Sequence, residues 1–62
     1  MKKFWFTFGC DQPHENCYHV ILANNEKEAR EEMISRFGNK WSMIYDSAEE
    51  AGVEKYHLKE IK

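Results

Sequence analysis

Cys10, His14, Cys17 and His19 all carry side chains that ligate zinc, and they fall within ten positions in the pattern C-x3-H-x2-C-x-H. Zinc asks for four nitrogen or sulfur ligands in a tetrahedron, commonly as paired cysteines and paired histidines. The spacing here matches none of the usual zinc-finger arrangements. The plainer reading is two packed thiols and two solvent-facing imidazoles, so no metal and no cofactor are expected. A disulfide between Cys10 and Cys17 would fit strand-end geometry but not a reducing compartment. The same residues offer a thiol nucleophile at Cys10 or Cys17, with His14 or His19 as base and Asp11 or Glu15 orienting it. Such chemistry needs a concave pocket, which a sheet of this size does not readily form. The chain is therefore read as a non-enzyme.

Lys55, His57 and Lys59 alternate near the end of the chain. On one strand they would share a face, and Trp5 and Trp41 on that face would add stacking surfaces for single-stranded nucleic acid. The plainer reading is that lysines protect an exposed sheet edge. Asp46, Glu49, Glu50 and Glu54 form an acidic cluster, echoed by Glu26, Glu28, Glu31 and Glu32. An acidic face can imitate a phosphate backbone. Lys27, Arg30 and Arg36 interrupt this one, as in an ordinary solvated face.

These residues must be positioned by a few short elements. Residues 3 to 8 read as a strand filled by aromatic and β-branched side chains, with Phe4, Phe6 and Phe8 on one side and Trp5 and Thr7 on the other. A turn-rich stretch from Gly9 to Asn16 precedes a second strand, Cys17 to Ala23, with Tyr18, Val20 and Leu22 on one face. Asn25 with Glu28 fits a capping box, and Ala29, Met33 and Phe37 recur every four residues, with Ile34 widening the stripe. Gly38 supplies the stop. Trp41 to Tyr45 reads as a third strand, and Ser47 with Glu50 caps a helical turn that ends at Gly52. Val53 to Ile61 is expected to contain the last strand, with Tyr56 and Leu58 turned inward. The sum is an α+β fold: a small antiparallel sheet of β-β-α-β-β order with one main helix packed on one face.

Sixty-two residues make one small domain, 1–62, with no room for a two-domain enzyme. Nine Lys and Arg against eleven Asp and Glu give a net charge of −2, which argues against a protein held mainly by phosphate contacts. Two cysteines are too few for a secreted disulfide scaffold. The apolar run at the amino terminus is short for a signal peptide, and no stretch reaches membrane-spanning length. A soluble, cytoplasmic protein with no membrane association is expected.

The segments Lys3-Phe4-Trp5-Phe6-Thr7-Phe8-Gly9 and Gln12-Pro13-His14-Glu15-Asn16-Cys17-Tyr18-His19-Val20-Ile21 resemble the opening of a group of short phage and prophage proteins. The resemblance runs on through Glu28-Ala29-Arg30, Arg36-Phe37-Gly38-Asn39-Lys40-Trp41 and Tyr45-Asp46-Ser47-Ala48-Glu49-Glu50-Ala51-Gly52. Cys10 departs from the pattern. The resemblance implies a mobile-element setting in a bacterial host and carries no catalytic residues.

The leading expectation is a non-enzymatic phage or mobile-element protein that binds a host or phage protein stoichiometrically, in the manner of anti-CRISPR and other inhibitors of host defence nucleases. Its contacts are placed on Trp5, Gln12, His14, Glu15 and Trp41, since exposed aromatic anchors carry most interface energy. The alternative is a small single-stranded nucleic acid binder using Lys55, His57 and Lys59. Monomer and edge-paired homodimer both fit the thin core.

Overall fold

In the computed structural model, residues 1–9 and 14–61 are described. Cys10 and Gln12 lie outside the described residues. The elements run β1 (Lys2–Thr7), β2 (Cys17–Ala23), α1 (Glu26–Phe37), β3 (Met43–Tyr45), α2 (Ala48–Ala51) and β4 (Lys59–Ile61). The fold is a small α+β domain whose four strands lie in the order β3-β1-β2-β4.

β1 pairs antiparallel with both β2 and β3, but β4 runs parallel to β2. The sheet is therefore mixed and not the expected antiparallel one. Only β1 and β2 are joined by a hairpin-type connection. Each later strand is reached by a crossover carrying a helix, and a crossover returns the chain in the same direction. β2, β3 and β4 thus run together, with β1 opposed between β2 and β3.

The alternation of β1 and β2 sorts side chains onto two faces. Phe4, Phe6 and Phe8 share the first face with Ile21 and Ala23, and α1 closes that layer with Ala29 and Met33. Phe6 and Met33 are completely buried, each removal from water contributing about 2 kcal/mol. The second face carries Trp5 between Val20 and Tyr45 in register. α2 packs against β1 and β3, and its buried Ala51 is not part of the cluster under α1. The right-handed rule accounts for this: the two crossovers run in opposite directions across the sheet and must use opposite faces.

α1 begins where Asn25 accepts a hydrogen bond from the Glu28 amide at 2.9 Å, while the Glu28 carboxylate accepts from the Asn24 amide at 3.3 Å. The capping exchange is therefore shifted by one residue at its return arm. Ile34, expected in the core stripe, is exposed. At about 100° per residue it stands roughly 100° around the helix from the Ala29–Met33–Phe37 centre line.

The last strand lies within the expected span from Val53 to Ile61 but occupies only Lys59–Ile61, so Lys55 to Leu58 precede it. Gly52 takes the left-handed conformation (φ 77°) as the cap of α2. Beyond it, the Tyr56 amide donates to the Gly52 carbonyl, His57 to Glu54 and Leu58 to Val53. Backbone groups bonded locally in this way are not available to a sheet ladder. Tyr56, expected to face inward, is exposed and Leu58 is half-buried.

Candidate functional site

α1 lies along the first face with a different neighbour on each flank. One flank presents Glu32 and Arg36 toward β2 and β4; the other presents Arg30 and Ile34 toward β3. Helical geometry sets this division: Arg36 and Arg30 sit on either side of the buried stripe, about 60° from its centre.

On the first flank, His19 is buried. Its Nδ1 lies 2.6 Å from the Ile61 carbonyl oxygen and its Nε2 lies 2.9 Å from Arg36 Nη1. A carbonyl can only accept and a guanidinium can only donate, so the hydrogen sits on Nδ1 and Nε2 accepts. Arg36 also donates to the Glu32 carboxylate at 3.0 Å. The His19 and His14 rings both meet Phe37 edge-on, with centroids 5.1 and 5.4 Å away, and His14 rests on Phe8 as well. His19 was expected to face solvent; instead it ties β2 to β4 and α1.

This arrangement bears directly on the zinc and thiol readings. Both nitrogens of His19 are engaged, so neither is free to ligate an ion or take a proton from a thiol. Cys17 is a free, half-buried thiol packed against the core. Among the described residues no three potential ligands converge.

On the second flank, a groove of about 250 Å³ runs between α1 and β3. Trp41 is half-buried at its floor, edge-on to Phe6 with centroids 5.0 Å apart, and its Nε1 donates to the Gly38 carbonyl at 3.1 Å. The Arg30 guanidinium carbon stands 6.0 Å from the indole centroid, and Arg30 pairs with Glu26 at 3.2 Å. Ile34, 54% exposed, and half-buried Ile44, paired with Phe6, supply apolar groups, and Asn39 and Ser42 polar ones; Met43, 50% exposed, also lines the groove at the sheet edge, although its pairing with Thr7 turns its side chain to the second face.

The described residues among the expected contacts do not form one surface. Trp5 is half-buried on the second face, while Trp41 belongs to the first, so neither is the freely exposed anchor anticipated. His14 is half-buried under Phe37 and Glu15 is exposed near the amino-terminal end of β2. Lys55 and His57 lie in the turns before β4, and only Lys59 is in the strand, so the three do not alternate along one face. Lys55 sits over the Tyr56 ring at 5.4 Å, and His57 has a positive φ of 52°. His57 and Lys59 line an open depression together with Glu15, whose carboxylate offsets the Lys59 charge.

The sequence pattern assigns Ile34 to the buried stripe and gives Met43 no role beyond the third strand. The legible signal was Ile34 standing off the four-residue repeat on the same flank as Arg30. No helix among the described residues is long and apolar enough to cross a membrane. No family model, curated protein or solved structure matches the chain.

Proposed function

We propose that this chain is a non-enzymatic binding protein that acts stoichiometrically on a protein partner through the groove between α1 and β3. The observation that carries the reading is the juxtaposition of exposed Ile34 with Trp41, Ile44 and Arg30 in one groove beside the edge strand that carries exposed Met43. Apolar side chains beside an indole and an arginine are the composition of protein-binding hot spots. A volume of about 250 Å³ falls below the range of about 300–1,000 Å³ typical of small-molecule pockets, which favours a side chain of a partner as occupant.

The phage or mobile-element setting rests on the sequence resemblance, and within it the partner is a host or phage protein in the bacterial cytoplasm, with a defence nuclease as the leading class. The nucleic acid alternative has less support, because Lys55, His57 and Lys59 are not arrayed on one strand and Glu15 stands beside two of them. Affinity capture from a lysate of the source cell, with and without nuclease treatment, tests the choice. One protein recovered in near-stoichiometric amount regardless of nuclease supports the proposal. Recovery that disappears with nuclease overturns it in favour of the nucleic acid reading.

A further inference from the structure

The two edges of the sheet are protected unequally. β4 carries exposed Lys59 and Glu60, and the exposed Lys55 and His57 precede it. Charges on an edge strand discourage pairing with another chain. β3, at the opposite edge, reads Met43-Ile44-Tyr45 with no charge and no proline. Alternate residues of an antiparallel edge strand turn their N–H and C=O groups outward, where another strand can pair with them. The groove beside Trp41 runs along this same edge, lined by Ser42, Met43 and Ile44.

Resting on the protein-binding reading above, we propose that the partner supplies an extended segment that adds to the sheet beside β3, seating an apolar side chain against Trp41 and a carboxylate near Arg30. Strand addition of this kind draws affinity from main-chain hydrogen bonds and specificity from pockets for alternate side chains. Among the described residues Arg30 is the sole charged one lining the groove, so the complementary charge is negative. Its bond to Glu26 joins two side chains that are each about half exposed, a pairing weak enough to be shared with an incoming carboxylate. A second copy of this chain fits less well as the occupant. A stable dimer buries about 800 Å² per partner, far more than a three-residue strand and two half-exposed side chains present.

The test is selection of a displayed random dodecapeptide library against the immobilised full chain, followed by titration of the enriched peptides into isotope-labelled protein. The expected peptides alternate apolar residues with Asp or Glu and slow amide exchange around Met43–Tyr45. Met43→Lys, which puts a charge on the edge strand itself, should weaken their binding by about tenfold or more while leaving the fold intact. Failure to enrich any peptide would overturn the proposal, as would protection confined to β4 or α1. Concentration-dependent dimerisation abolished by Met43→Lys would also overturn it, by making the second copy the occupant. The two readings fail separately. A cellular protein captured equally by wild type and Met43→Lys removes strand addition and leaves protein binding standing. Peptides bound at β3 with no cellular protein captured do the reverse.

Discussion

Replacing His19 with alanine should destabilise the domain by about 3 kcal/mol. The imidazole is only 6% exposed and joins three elements through two hydrogen bonds and the Phe37 ring. Removing it strands the half-buried Ile61 carbonyl, at about 1–2 kcal/mol. Loss of the packed ring adds about 1.5–2 kcal/mol in transfer and cavity terms. Arg36 contributes little to this sum, because its side chain is 47% exposed and can return to water. A chain of 62 residues has a total stability of about 3–9 kcal/mol, so the change removes a third or more of it. In urea, with a slope of about 1 kcal/mol per molar, the midpoint should fall by about 3 M. His19→Phe keeps a ring against Phe37 and should cost about half as much. Arg36→Ala should cost under about 1 kcal/mol. Amide exchange should show β4 losing protection first in His19→Ala, since the imidazole ties its Ile61 carbonyl to the sheet. A loss below about 1 kcal/mol, or equal losses in His19→Ala and Arg36→Ala, would refute the latch that His19 makes between β2 and β4.

Three further outcomes follow from the packing. Asn25→Ala should cost about 1 kcal/mol by urea titration, since it removes the bond to the Glu28 amide at the start of α1. Gly52→Ala should cost about 1–2 kcal/mol, because φ is 77° and an added Cβ would stand 2.4 Å from the Tyr56 ring. Pairing it with Tyr56→Ala should return the steric part and leave the backbone part, which a double-mutant cycle reads directly. Trp41→Ala should cost about 2–3 kcal/mol through its contacts with Phe6 and the Gly38 carbonyl, whereas Ile34→Lys and Met43→Lys should stay within about 0.5 kcal/mol by thermal or urea unfolding. Trp41 is thus an ambiguous probe of binding, and the exposed Ile34 and Met43 are clean ones.

Local rules reached as far as the elements and their caps. Phe4, Phe6 and Phe8 announce a strand with one buried face, and Asn25 and Ser47 announce helix starts, because each signal acts within a few residues. Sheet direction was not legible, since the parallel course of β4 follows from which face each crossover uses, a non-local matter. The alternation of Tyr56 and Leu58 reads as strand because both are apolar, yet they lie in the turns before β4. The competing local hydrogen bonds there leave no trace in periodicity. His19 was misjudged for a related reason: its burial depends on the Ile61 carbonyl, 42 residues away, and on Arg36 arriving from α1. At the groove, Trp41 was legible by residue type, while Ile34 and Met43 became significant only when α1 and β3 were set side by side.

The central claim, that a protein partner is held at the α1–β3 groove, is tested most directly by capture from lysate with three baits in parallel. These are the wild-type chain, the Ile34→Lys/Met43→Lys variant and the Lys55→Glu/Lys59→Glu variant, all altered at exposed positions. The account predicts one nuclease-insensitive protein recovered by the wild type and by the Lys55→Glu/Lys59→Glu bait, and lost from the groove variant. Equal recovery by the groove variant, or loss from the Lys55→Glu/Lys59→Glu bait instead, would contradict it.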